Sequence, residues 1–383
     1  MKEDTKLHKL KINPENVEDV YSLSPLQQGM LFHTLRDKGV GMYISQSVSR
    51  YDNLDTEAFQ RAWRLIIDRH TILRTSFHWD DPEKPVQVVH GNVDLPFTYQ
   101  DWRVLPPSEQ NSRLRKLQQE ERENGFDLNR APLIKFTVIQ VSKTHWFCVN
   151  THHHIILDGW SGALLAKEFR KAYEDLSRGG IPTFEPPIPF GRYIRWLESQ
   201  DHEAVEDFWK KHIGSVSRPT PLPAERETGD KTRIRMHVES WGFRLDDHTA
   251  QRVDLFAKKC RVTLNTVIQS AWPLLLSRYS GTKSVIFGIV VSGRPPELNG
   301  VEKIVGMFLN TVPFRVTVED NLSVRDWLQK IHTDRIELQR FEHSPLMLVQ
   351  QWSCIPGGIP LFNSIVARKD VTQAAQASRR ARG

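Results

Sequence analysis

The sequence predicts an α/β protein made of two lobes around a central cleft. Three observations carry that expectation. The chain has 383 residues, too many for one ordinary hydrophobic core. Helix-period and strand-period segments alternate in both halves. A Pro-rich stretch at 181–190 holds Pro182, Pro186, Pro187 and Pro189, and such a stiff, donor-poor segment suits a connector. The expected organisation is a first lobe over 1–180, the connector over 181–190, a second lobe over 191–366 and a basic, disordered tail over 367–383.

The elements follow in order. Ser24 caps a first helix, with Pro25 in its first turn and Gln27 completing a capping box. A second helix sets Phe59, Trp63, Ile66 and Ile67 on one face. Leu73 to His78 reads as a strand. Lys135–Val141 and Trp146–His152 read as a hairpin around the turn at Ser142–His145. After Asp158-Gly159 comes a helix with Leu165, Phe169, Ala172, Tyr173 and Leu176 on one face, stopped by Gly179-Gly180. In the second half, Thr232–Leu245 reads as a strand and Thr249–Tyr279 as helix in two pieces. Ser284–Val291 is a continuous apolar strand, Val312–Val318 another, and Ser323 caps a helix through Trp327, Leu328 and Ile331.

Composition narrows the function. Eleven Trp and 18 Phe argue against disorder. The first residues lack the apolar stretch of a signal peptide. No apolar run reaches bilayer length, so the expected compartment is the cytoplasm, without membrane. The net charge is +6, but residues from Arg368 onward hold five basic groups against one acid. The remaining body is close to neutral, without a basic stripe, so nucleic acid is not an expected partner. Cys148, Cys260 and Cys354 have no disulfide or zinc spacing.

The chemistry concentrates at Thr151-His-His-His-Ile-Ile-Leu-Asp-Gly-Trp160. Three histidines close a strand, with an acid and a glycine at the following helix start. On a strand, His152 and His154 would point one way and His153 the other. Histidine titrates nearest neutrality and suits acid–base work. Three readings stand: polar residues satisfied within the fold with Asp158 as a cap, a metal site on His152 and His154, and an acyl-transfer site with one base. No further ligand cluster completes a metal site. No Gly-x-Ser-x-Gly supplies a covalent nucleophile.

His153-His154-x-x-x-Asp158-Gly159 resembles the HHxxxDG motif of the condensation domains of non-ribosomal peptide synthetases, members of the chloramphenicol-acetyltransferase-like superfamily. Other segments resemble the family in its order: Leu23–His33, Arg69–Phe77, Gly125–Leu133, Tyr193–Trp196 with Phe208-Trp209, Val291–Pro295, Val305–Thr311, His343–Leu346 and Pro360–Ser364. The resemblance implies two lobes with mixed sheets flanked by helices, in a V shape around the cleft. It implies amide-bond formation between a donor acyl or peptidyl thioester and an acceptor aminoacyl thioester. Both would arrive on phosphopantetheine arms of upstream and downstream peptidyl carrier proteins, beside an adenylation domain, with no bound cofactor or metal. His154 would be the catalytic base or amine holder. Gly159 would offer its N–H to the oxyanion, and Asp158 would shape the loop through an arginine, Arg294 first and Arg69 second. His153 would be structural. Asn310 would line the cleft or serve a turn or strand end.

The sequence departs from the family in three places. Lys135 stands where arginine is common. Pro273 interrupts Ser270–Leu276, where a kink is expected. After Val366 the family's Phe-x-Asn-Tyr-Pro and several further strands are replaced by Ala367–Gly383. The expectation is a second lobe cut short, less stable than a complete domain and with its activity open. Epimerisation domains share HHxxxDG but differ from Val305–Thr311. Heterocyclisation domains carry an Asp-rich motif instead. A coenzyme A acetyltransferase lacks the opening and Tyr193 segments. A non-catalytic carrier-docking scaffold is the alternative outside enzymes. Leu26–His33 leans toward a D-configured donor.

Overall fold

The structure is a computed structural model that describes residues 13–36, 41–81, 84–222 and 240–368. The chain forms two compact units, and each is described by itself. Among the described residues, the first holds the chain through Gln200 together with Arg294–Leu309, and the second holds Asp201–Gly293 and 310–368.

The first unit contains β1 (Val17–Ser22), α1 (Pro25–Arg36), β2 (Ile44–Asp52), α2 (Thr56–Arg69), β3 (Thr75–His78), β4 (Val86–His90), β5 (Phe97–Asp101), α3 (Pro107–Asn124), β6 (Ile134–Gln140), β7 (His145–His153), α4 (Gly159–Ser177) and α5 (Gly191–Glu198). One sheet runs β1-β4-β3; the other runs β2-β7-β6-β5. In the latter β5 and β6 are parallel and the other pairs antiparallel.

Local chemistry explains the helix starts. The Ser24 amide donates to Gln27 Oε1 at 2.9 Å, and the Gln27 amide approaches Ser24 Oγ at 3.5 Å, so the box closes around the first turn. Asp55 caps α2 by accepting from the Glu57 and Ala58 amides. The expected face of α2 is buried, with Phe59, Ile66 and Ile67 at 1% exposure or less. It meets α4 and the sheet through aromatics: Trp63 lies 4.3 Å from Phe136 and stacks 4.6 Å from Phe169. Such offset rings add to plain area burial.

The segment 181–190 lies within this first unit. Arg69 Nη2 donates to the Glu185 carbonyl, and its guanidinium sits 4.8 Å over Phe184. Lys303 pairs with Glu185 at 3.0 Å.

The second unit contains α6 (His202–Ile213), α7 (Asp247–Cys260), α8 (Leu264–Ser280), β8 (Ser284–Val291), β9 (Asn310–Thr317), α9 (Val324–Gln339), α10 (Leu346–Gln351) and β10 (Ile365–Val366). Its sheet runs β10-β8-β9, with β8 antiparallel to β9 and parallel to β10. The apolar run of β8 is buried along most of its length. Trp209 is buried with its indole N–H given to Ser344 Oγ at 2.7 Å. The Trp327 indole donates to the Thr317 carbonyl at 3.0 Å, which satisfies each ring's one donor.

Residues 249–279 form helix in two pieces, as expected, dividing at residues 261–263, where Arg261 takes a left-handed φ of 58°. Pro273 lies inside α8, a single helix from Leu264 to Ser280. Proline removes a single ladder donor, that toward the Gln269 carbonyl, and the turns on both sides remain. The expected strand Thr232–Leu245 lies outside the described residues up to Glu239, and 240–245 forms no strand. The tail from Lys369 also lies outside the described residues.

Gly306 is a glycine that the packing demands. A Cβ there would lie 2.1 and 2.4 Å from ring carbons of Phe190, which is itself 1% exposed. Gly306→Ala is expected to cost roughly 1–3 kcal/mol by overpacking, read as a lower midpoint in thermal unfolding by circular dichroism. An unchanged midpoint would show that Phe190 yields freely.

Candidate active site

The histidine run sits where β7 ends. β7 is held on both sides, by β2 and by β6, up to its last residues. His153 is its final residue, fully buried. Its Nδ1 accepts from the Ile155 amide at 3.1 Å, and its Nε2 lies 3.2 Å from Thr34 Oγ1. His154 is outside the strand, as the first residue of a 3-10 turn, His154–Ile156. The strand alternation expected to pair the directions of His152 and His154 therefore stops one residue early. The turn is anchored by Ile155 and Ile156, both at 0% exposure, and by the His154 amide, which donates to the Tyr43 carbonyl at 2.7 Å.

His154 itself is half-buried. Its Nδ1 bonds the Leu157 carbonyl. A carbonyl only accepts, so Nδ1 carries the proton. In the neutral ring the lone pair is then on Nε2.

Asp158 caps α4. Its Oδ1 accepts from the Ser161 amide at 2.7 Å, and its Oδ2 accepts from the Phe308 amide at 3.3 Å. Arg294 Nη2 lies 3.4 Å from Oδ2, and both side chains are nearly sealed, at 6% and 2% exposure. Arg294 Nη2 also donates to Ser161 Oγ at 3.0 Å, and Nη1 to the carbonyls of Val301 and Ile304 at 2.6 and 2.9 Å. Burial pulls the guanidinium pKa down, and Asp158 pushes it back up. Ser161 Oγ gives its proton to the Gly306 carbonyl at 2.8 Å and accepts the Gly306 amide at 3.0 Å. Asp158 and Ser161 thus fasten the 294–309 segment to the start of α4.

Gly159 begins α4 and is exposed. A Cβ there would meet nothing within 4 Å, so packing does not require the glycine. The other expected residues lie elsewhere. Arg69 binds Glu168 at 3.1 Å, beside the His70–Glu168 contact at 2.7 Å, and takes no part with Asp158. Asn310 is 5% exposed. Its Nδ2 donates to the Glu342 and Ser344 carbonyls, both at 2.8 Å, and its Oδ1 accepts the Thr311 amide. With these bonds Asn310 ties the start of β9 to the 342–344 turn. Ser161 and the Gly306 and Phe308 amides were not singled out from sequence. The Asp158-x-x-Ser161 spacing is the signal that marks the cap. Among the described residues, no group of three or more His, Cys, Asp or Glu is placed to hold a metal ion.

Residues 17–382 match the family model described as condensation domain. The chain belongs to the condensation-domain family. One protein of the linear gramicidin synthase of Brevibacillus parabrevis is 39% identical over 350 residues, covering 91% of this chain and 4% of that protein. Chondramide synthase of Chondromyces crocatus is 33% identical, covering 94% of this chain and 10% of its own length. The chain therefore spans a tenth or less of the length of these synthetases. The starter condensation domain of rhizomide synthetase has the same fold, with a TM-score of 0.74 at 19% identity over 96% of this chain and 80% of that one.

The buried histidines give folding a pH dependence. Burial first, then the neighbouring histidines, lowers the pKa of His153 to about 3 and that of His152 to about 4, from 6.5. Above 6.5 both rings are neutral folded or unfolded, and the full stability is present. As pH falls below that value the unfolded chain takes up protons the folded state refuses, so stability is lost. His153→Gln is expected to flatten the fall in urea midpoint between about pH 7 and pH 4.5. A slope equal to that of the unsubstituted protein would remove His153 as a source.

Proposed function

We propose that this condensation domain forms an amide bond between two carrier-bound thioesters. The donor is an acyl or peptidyl group and the acceptor an aminoacyl group. Each arrives on the phosphopantetheine arm of a peptidyl carrier protein, in a longer synthetase with a neighbouring adenylation domain. The observation that supports this most is the fixed tautomer of His154. With Nδ1 tied to the Leu157 carbonyl, Nε2 is left to accept the proton of an attacking amine.

The chemistry follows from that group. The acceptor nitrogen attacks the donor thioester carbonyl and a C–N bond forms. His154 Nε2 takes the amine proton as the charge develops. The tetrahedral oxyanion lies toward the first turn of α4, where backbone N–H groups lack helical acceptors. Asp158 takes the Ser161 amide, and Gly159 offers its own to the oxyanion. The C–S bond then breaks, and the donor arm leaves as a thiol with the proton passed back from His154. Asp158 touches neither substrate; it sets the turn. Arg294 acts through Asp158. No acyl-enzyme is needed.

His154→Ala is expected to slow dipeptidyl thioester formation by about 10²–10⁴-fold with the melting midpoint unchanged. The assay mixes the protein with two loaded carriers and follows product by mass spectrometry. Gly159→Ala is expected to slow the reaction without loss of stability, since the free protein has room for the methyl group. Condensation at the normal rate by His154→Ala would sink the assignment. Product absent from the unsubstituted protein, with carriers still bound, would support the docking-scaffold reading, and inverted stereochemistry of a single loaded carrier would support epimerisation.

A further inference from the structure

Trp160 follows Gly159 directly and is 50% exposed. Its ring is not loose. The indole N–H donates to the Glu302 carbonyl at 2.9 Å. The Arg294 guanidinium lies 5.5 Å from the ring centroid and 3.9 Å from that of Phe308, so the arginine is shared between two aromatics. Arg294 is fixed in turn by Asp158, Ser161 and the Val301 and Ile304 carbonyls. The polar tip of Trp160 is therefore satisfied and the ring is held in orientation. What remains is a large apolar surface open to solvent beside an exposed glycine with space around it.

A tryptophan whose task was only to tie the 301–303 turn would need its N–H and no open surface. Tryptophans with a satisfied polar tip and an open apolar face are enriched where proteins bind partners. The ligand's chemistry is set by the surroundings. Alkyl groups and flat amides pack on an indole, and the arm of a carrier-bound thioester consists of both. We propose that Trp160 is a substrate-contacting residue, whose open surface is the wall against which the alkyl–amide part of a thioester arm lies beside Gly159. This rests on the condensation reading. Either arm, donor or acceptor, has the required chemistry.

The test uses two pantetheine probes in which an amide replaces the thioester, so that no transfer occurs. N-acetyl-leucyl-pantetheine mimics a donor, and leucyl-pantetheine, with its free amine, mimics an acceptor. Binding is measured by isothermal titration calorimetry on the unsubstituted protein, Trp160→Ala and Trp160→Phe, with the melting midpoint of each. Trp160→Ala is expected to weaken one probe about tenfold, which is about 1.4 kcal/mol, and the affected probe names the arm. Trp160→Phe keeps an apolar ring but loses the Glu302 bond, so it is expected to stay much closer to the unsubstituted protein, with all midpoints alike. Equal binding of both probes by Trp160→Ala overturns the proposal. So does a loss in Trp160→Phe as large as in Trp160→Ala, or no binding by the unsubstituted protein. The condensation assay is separate: weaker binding in Trp160→Ala alongside absent condensation would retain the contact and reject the reaction.

Discussion

The Asp158 carboxylate accepts the Ser161 amide, accepts the Phe308 amide and faces the Arg294 guanidinium, all with almost no access to water. Removing an ion from water is expensive unless its partners replace the lost hydration. Here they do so by joining two stretches of chain 136 residues apart. The 3.4 Å separation of Asp158 and Arg294 is long for a charge-assisted hydrogen bond. The shorter bonds of Arg294 go to the Val301 and Ile304 carbonyls. Arg294 is therefore held first by backbone, and its charge is then balanced by Asp158. The same carboxylate fixes where α4 begins, and with it the placement of Gly159 and Trp160. Four residues upstream, the His154 turn is closed by its own bond to Leu157.

Two glycines in this region stand in opposite surroundings. Gly306 has no room, because Phe190 occupies the space a Cβ would need. Gly159 has room to spare, so packing does not explain its lack of a side chain. His153 and His154 divide in the same way. The first is a buried neutral ring that braces the turn. The second is half-buried, with one nitrogen committed and the other available.

Most elements were legible because their signals are local. The capping box at Ser24, the apolar face from Phe59 to Ile67, the apolar run of β8 and the cap at Ser323 each arise within a few residues. One miss has a tertiary cause. The end of β7 is set by pairing with β2 and β6, and by the bond from the His154 amide to Tyr43, so alternation within the strand could not place His154. For Asn310 the sequence leaves the cleft and a turn or strand end both open, and the bonds to the Glu342 and Ser344 carbonyls fit the second. The sequence ranks Arg294 ahead of Arg69 as neighbour of Asp158, and Arg294 is the one beside it. Both lie in motif-like segments, and Arg69 is engaged instead by Glu168 and Glu185.

The central claim is that Asp158 and Arg294 act as one unit in setting the start of α4. The most direct measurement is a double-mutant cycle of Asp158→Asn, Arg294→Gln and the pair, read by urea unfolding. If the two act together, the second substitution adds little once the first is made, with a coupling above about 1 kcal/mol. Losses that add to within about 0.5 kcal/mol would contradict the account and leave the two side chains as independent neighbours.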